Sequence, residues 1–304
     1  MKNANTKHHI VPQSYLKRFA RRNTNNDGYN IGVNQLGSNK KFIDAIKNVA
    51  FKNDYYAVTN REDSKYWEKY FADKIEILYG VNLTNIIATI MLSNERENVL
   101  SDMQRKCLAK MAVFQILRVP GFLERRFEHG KQLFDEAIEE TLQLFNEVDR
   151  ITIQSTLAEL IRDKEIFIKD AHIPLIAEEE SLDFLSRVLN NKVWLIYFND
   201  SSIPFITSDS PVVMYNIESK SFSYADNGIG KKETFTYYPL TSKILLQMIP
   251  KNYDFAKFKN KDNSLIILSN EHIPFINSVN RFQLNHAENQ IFVHPNYINY
   301  LERL

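Results

Sequence analysis

The sequence predicts an α+β fold in which a central helical layer is followed by a mainly antiparallel sheet, and an N-terminal segment packs on both. Between about residues 64 and 168, apolar side chains recur at spacings of three and four, which is typical of amphipathic helices. From about residue 192 onward, they gather instead in short runs of strand length. Because helices and strands are grouped rather than alternating, the pattern favours α+β over repeated βαβ units.

Four helices are predicted in the central region. The first has one apolar face formed by Trp67, Phe71, Ile75 and Leu78. The second begins at Ser101 and ends near Pro120, since a serine caps a helix N-terminus and proline interrupts the helical hydrogen bonds. The third and fourth are expected at about 122–146 and 151–163.

The β-rich portion is expected to extend over about residues 192–300, and the whole chain, 1–304, is predicted to be a single domain. Asn, Gly and Ser are frequent in residues 23–41, so a loop or hairpin is predicted there, with a candidate strand at 29–33. A late helix is predicted at 271–289. The remaining predicted strands are 192–198, 204–207, 212–215, 220–225, 233–238, 243–249, 264–268 and 291–293.

Composition excludes several classes of protein. The chain has 304 residues with 44% hydrophobic and 25% charged side chains, and 38 basic residues nearly balance 37 acidic ones. A net charge of +1 gives no global attraction to nucleic acid or to an anionic membrane. The single cysteine, Cys107, excludes an intrachain disulfide and a multi-cysteine zinc site. Without a signal-peptide core or a long apolar run, we expect a cytoplasmic protein with no membrane span; its Asn, Lys and Ile content suggests a low-GC bacterial genome.

The segment His8-His9-Ile10-Val11-Pro12 is the sharpest local motif. Adjacent residues of an extended segment point to opposite faces, so one histidine at most is expected to serve a given site. A similar segment supplies the general base in His-Asn-His metal nucleases, but that motif needs a second histidine nearby, and the next one here is His129. Two other interpretations stay open: a structural histidine, or a different site that uses His8 or His9.

Gln115 and Arg118 lie three residues apart at the end of the second predicted helix and therefore share a face. A guanidinium at a helix C-terminus is favourable by itself, so Arg118 is interpreted either as a C-terminal cap or as a clamp for a phosphate or carboxylate.

The turn Ser208-Asp209-Ser210-Pro211 lies between two predicted strands. Asp209 either satisfies its own turn or presents a carboxylate at a strand end as a base, a metal ligand or a hydrogen-bond acceptor. The sequence contains no phosphate-binding P-loop, no Gly-x-Ser-x-Gly nucleophile elbow and no His-Glu-x-x-His zinc motif.

Taken together, these segments resemble the bacterial family called domain of unknown function 4238, over most of the chain. The resemblance depends on the order of five stretches: His9 to Phe19; Asn48-Val49-Ala50 with Tyr55-Tyr56; Gln115-x-x-Arg118-x-Pro120; Phe205 to Val212 followed by Tyr238-Pro239-Leu240-Thr241; and Asn280 to Ala287. His9, Arg118 and Asp209 match polar signature positions of the family, whereas Ile10 stands where the family often has an aromatic residue. The resemblance implies no activity. Its members look like bacterial accessory or defence-associated proteins.

The sequence leads to two functional hypotheses. The first is a phosphate-directed hydrolase or nuclease of a bacterial defence system, such as phage defence. In it, the catalytic candidates are Asp209 and either His8 or His9, and substrate is bound by Gln115, Arg118, Ser208, Ser210 and Asn280. A divalent metal ion is its candidate cofactor, and a nucleic acid, a nucleotide or a partner protein its candidate partner. The alternative is a non-catalytic ligand-binding or protein-interaction module, in which the same residues build a polar pocket.

Overall fold

The α+β class predicted from the sequence is confirmed by the fold. The computed structural model describes residues 7–24, 27–38, 40–53, 78–143, 150–151, 178–223, 226–251, 258 and 260–304. The predicted helical face at Trp67, Phe71 and Ile75 therefore lies outside the described residues, as does the helix predicted at 151–163 apart from its first residue.

Six α-helices lie in the described part of the chain: α1, Gln13–Leu16; α2, Leu83–Leu92; α3, Asp102–Arg118; α4, Pro120–Gln143; α5, Glu179–Asn190; and α6, Ile273–His286. The predicted start of α3 is confirmed, because Ser101 accepts a hydrogen bond from the backbone of Gln104 while the Gln104 side chain returns one to Ser101. The helical layer extends past residue 168, since α5 packs against α3.

Twelve strands are described. They are β1, Lys7–His9; β2, Arg21–Arg22; β3, Tyr29–Gln35; β4, Lys40–Ala45; β5, Phe51–Asn53; β6, Val193–Asn199; β7, Thr207–Ser208; β8, Val213–Asn216; β9, Thr234–Pro239; β10, Ile244–Ile249; β11, Ser264–Leu268; and β12, Gln290–Val293. Of the strand predicted at 220–225, residues 224 and 225 lie outside the described residues. The described part forms one bridge, at Ser221, because Asn216 binds the backbone of residues 218 and 219 and closes a turn there.

The strands form three sheets rather than one. The order β11-β6-β10-β9-β8 makes the central sheet, in which every pair is antiparallel except β11 with β6. A second sheet has the order β2-β3-β12-β7, with β4 on the other side of β3, and so it joins N-terminal strands to the last strand. The short pair β1-β5 forms the third.

The central sheet is buried on both faces, which explains its continuous apolar runs. Along β6, Trp194 and Ile196 face the core shared with α2 and α3, whereas Val193 and Leu195 face a second core under α6. A polar side chain between these layers must find a hydrogen-bond partner inside the protein.

None of the helices in the described residues is both long enough and apolar enough to cross a membrane.

Candidate functional site

His8 and His9 lie in β1, and the backbone of this strand pairs with β5. As expected for neighbours in a strand, their side chains differ: His8 is buried, whereas His9 is half-buried with its ring 6.2 Å from the ring of Phe51. The backbone N–H of Ile10 continues the pairing by donating to the carbonyl of Ala50 at 2.9 Å. The histidine segment is therefore fixed by strand pairing.

Gln115 and Arg118 are buried at the C-terminal end of α3, where both donate to the N-terminal segment. Gln115 Nε2 donates to the carbonyl of Ile10 at 3.0 Å, and the guanidinium of Arg118 donates to the carbonyl of His9. The guanidinium also lies over the ring of Phe114, 5.2 Å from its centroid. These two side chains thus bind consecutive backbone carbonyls of the His8–Pro12 motif.

Asp209 is a buried carboxylate that binds the turn between α6 and β12. Its Oδ1 accepts from the backbone N–H of Glu288 at 2.9 Å, and its Oδ2 accepts from those of Asn289 and Gln290 at 2.8 and 3.0 Å. Burial raises the pKa of Asp209, while these backbone N–H donors oppose the rise. The carboxylate therefore has three donors at its two oxygens.

The two serines beside Asp209 bind side chains of α6. Ser208 Oγ donates to Gln283 Oε1 at 2.8 Å, and Gln283 Nε2 donates to the carbonyl of Pro211 at 2.8 Å. The hydroxyl of Ser210 is 2.8 Å from Nδ1 of His286. Gln283 and His286 were missed from the sequence.

Asn280 completes this polar row on α6. Its Oδ1 accepts from the N–H of Ile206 at 3.0 Å, and its Nδ2 donates to the carbonyl of Pro204 at 2.9 Å. The spacing 280, 283 and 286 is the signal that could have found the row, because residues three apart share a helix face. The row binds the chain from residue 204 to 211.

Tyr15 connects the N-terminal motif to both larger sheets. Its hydroxyl lies 2.8 Å from Thr207 Oγ1 and donates to the carbonyl of Pro239 at 2.5 Å. Its ring stacks on Tyr238 with centroids 5.6 Å apart. Burial raises the pKa of Tyr15 well above its ordinary value, so the hydroxyl stays protonated and able to donate.

One further link joins the end of α3 to the Asp209 turn. The backbone N–H of Gly121, in the first turn of α4, donates to Oε1 of Glu288, whose own N–H is bound by Asp209. The predicted site residues are thus joined by hydrogen bonds, most of which pair one side chain with one main-chain group. We call these hydrogen bonds, made by the side chains of Tyr15, Gln115, Arg118, Ser208, Asp209, Ser210, Asn280, Gln283, His286 and Glu288, the signature network.

A groove of about 750 Å³ lies between α3 and α5, and none of the predicted site residues lines it. Its lining comes from side chains that recur every three or four residues on the two helices: Met103, Lys106, Cys107, Lys110, Glu180, Asp183, Ser186, Arg187 and Asn190. The sequence alone gives no sign of this groove, because the two helices that form it are about seventy residues apart in the chain.

The groove walls are held at their ends. Lys110 Nζ lies 3.0 Å from Asp183 Oδ1 and 3.5 Å from Glu179 Oε1. Burial lowers the pKa of Lys110, but the hydrogen bond and charge of Asp183, with those of Glu179, outweigh it and leave the pKa raised. At the other end, Arg105 donates to the carbonyls of Asn190 and Lys192 at 3.1 and 3.3 Å.

Among the described residues, no group of three or more His, Cys, Asp or Glu side chains is placed to hold a metal ion. Cys107 is half-buried in the groove, and burial raises the pKa of its thiol against the opposing effects of Asn82 and Lys110.

Residues 7–296 match the family model described as protein of unknown function (DUF4238). No curated protein and no solved structure matches the chain.

Proposed function

Because the chain belongs to the DUF4238 family, whose description assigns no activity, we propose from the geometry that it is a non-catalytic binding module that takes a small anionic ligand in the groove between α3 and α5. The proposal depends on the observation that the buried polar residues and the open groove lie in different places. The buried side chains of Arg118 and Asp209 bind backbone groups, while a groove of about 750 Å³ opens elsewhere. Ligand sites usually have volumes of about 300–1,000 Å³.

The charges of the groove support an anionic ligand. Lys110 and Asp183 neutralise each other as an ion pair. Within the described part of the chain, Lys106 and Arg187 form no ion pair, and both are exposed. Among the residues that line the groove, Glu180 is the remaining carboxylate, so the lining has two cations against one anion. Glu179 lies outside this lining, where it shares Lys110 with Asp183. A phosphate or carboxylate group is the class of ligand that would bind a lysine and an arginine together.

The experiment is a binding survey of the full chain with inorganic phosphate, citrate and ATP, by thermal unfolding and calorimetry. A ligand that binds only the native state stabilises that state by about 2.7 kcal/mol when the free ligand concentration is 100 times the dissociation constant. The double variant Lys106→Ala/Arg187→Ala should weaken that ligand at least about tenfold, since hydrogen bonds to charged groups contribute about 1.5–3 kcal/mol each. Lys47→Ala, which removes an exposed lysine remote in sequence from both helices, is the matched control. Absence of binding by all three probes would overturn the proposal.

The phosphate-directed hydrolase remains the second candidate, because His9 is the one predicted catalytic residue whose side chain is only half-buried. Its assay is hydrolysis of a model phosphodiester, with and without magnesium or manganese. The hydrolase would be supported, and the binding module overturned, if the native chain hydrolyses this substrate and His9→Ala abolishes the hydrolysis without changing the melting temperature. Defence and a nuclease activity on nucleic acid belong to this second candidate.

A further inference from the structure

Strand β4 is an exposed edge of the second sheet. It pairs with β3 over its whole length, and no other strand of the described residues pairs with it. Its opposite edge therefore presents backbone N–H and C=O groups that can receive another strand. Two apolar side chains of this strand are exposed, Phe42 by 37% and Ile43 by 48%.

The side chains of β4 divide between two faces of the sheet. Lys40, Phe42 and Asp44 lie on one face, because successive residues of a strand alternate. Lys41 and Ile43 lie on the other, where Lys41 Nζ is 3.6 Å from Glu302 Oε1.

Symmetry restricts how this edge can pair with a second copy of itself. Two antiparallel strands related by a two-fold axis perpendicular to the sheet place one residue opposite its own copy. If Phe42 lies on the axis, Phe42 faces Phe42 of the other copy, and each Lys40 faces an Asp44. If Ile43 lies on the axis, Phe42 faces Asp44 and the charges are not matched.

We propose that this chain forms a two-fold symmetric homodimer by antiparallel pairing of β4 with β4 of a second copy, in the register centred on Phe42. Opposite charges and aromatic pairs that face each other across strands both stabilise a sheet, and symmetry repeats each Lys40–Asp44 pair. The Asp44 carboxylate can take part, because its Oδ1 accepts from Ala45 N and Asn48 Nδ2 while Oδ2 remains for Lys40 of the other copy. The two second sheets would then become one continuous sheet.

The test exchanges charges between two variants of the full chain. Lys40→Glu alone places Glu opposite Asp, and Asp44→Lys alone places Lys opposite Lys, so each variant should dimerise at least about tenfold more weakly than the native chain. Mixed together, they should form a heterodimer in which both pairs are again of opposite charge. Analytical ultracentrifugation over micromolar to sub-millimolar concentrations, at low and high salt, measures the dimerisation of the native chain, of each variant and of their mixture.

Lys47→Glu is the matched control, since it makes the same charge change just outside the strand and should leave the dimerisation constant unchanged. Thermal unfolding of each variant checks that the fold is retained. Phe42→Asp, which places two carboxylates at the axis, should leave only monomer. A native chain that stays monomeric at all concentrations would overturn the proposal. A native dimer that tolerates Lys40→Glu, or variants that do not recover the dimer when mixed, would overturn it as well.

Discussion

Replacing Asp209 by alanine tests whether the signature network stabilises the fold. The substitution leaves the N–H groups of Glu288, Asn289 and Gln290 without their carboxylate acceptor in a partly buried turn. A hydrogen bond to a charged group contributes about 1.5–3 kcal/mol, and bonds that share one carboxylate are not additive, so we expect a loss of roughly 3–5 kcal/mol. Asp209→Asn keeps one acceptor oxygen and should lose roughly half as much.

Urea denaturation monitored by tryptophan fluorescence measures the loss as a lower transition midpoint at an unchanged slope. Asp200→Ala is the control, because Asp200 is exposed and its removal should change stability by less than about 0.5 kcal/mol. If Asp209→Ala costs less than about 1 kcal/mol while the fold stays intact, the structural role is refuted, and a site kept for chemistry becomes the better explanation.

The other predictions concern stability. Burial lowers the pKa of Lys192 to about 7, so between that value and the unfolded pKa of about 10.4 the unfolded chain binds more protons and stability rises with pH. Lys192→Met should remove this slope, a difference of about 3 kcal/mol between pH 7 and 9.5 in urea titrations; equal slopes in both proteins would contradict it. Tyr15→Phe should lose about 1–2 kcal/mol, since its hydroxyl binds Thr207 and Pro239, and an unchanged melting temperature would argue against that bond. Gln283→Ala strands the Pro211 carbonyl and should cost about 1–3 kcal/mol, whereas a neutral effect would mean that the row on α6 does not bind the turn.

Local patterns predicted most of the described elements. The capping pair at Ser101 and Gln104 fixes the start of α3, and the two-faced burial of β6 produces the apolar run from which it was predicted. The division into sheets was not predictable, because β3 pairs with β12 across more than 250 residues, and strand periodicity contains no information on partners.

The candidate site was also only partly predictable from the sequence. The sequence identified the polar residues that matter to the interior, such as Arg118 and Asp209, because polar groups beside apolar runs must be satisfied there. It could not show that their partners are backbone groups, since a capping arginine and an anion-binding arginine have the same spacing. The groove was missed because its two walls, α3 and α5, have no motif in common.

The alkylation rate of Cys107 tests most directly whether the groove, rather than the signature network, binds the ligand. Cys107 is the only cysteine of the chain and it lines the groove, so its rate of alkylation by iodoacetamide at mildly alkaline pH reports on that surface alone. We expect the tightest anionic ligand of the binding survey to slow alkylation in the native chain, and Lys106→Ala/Arg187→Ala to abolish this protection at the same ligand concentration. If calorimetry detects binding of the ligand but the alkylation rate of Cys107 stays unchanged, the ligand does not bind in the groove and the proposal is contradicted.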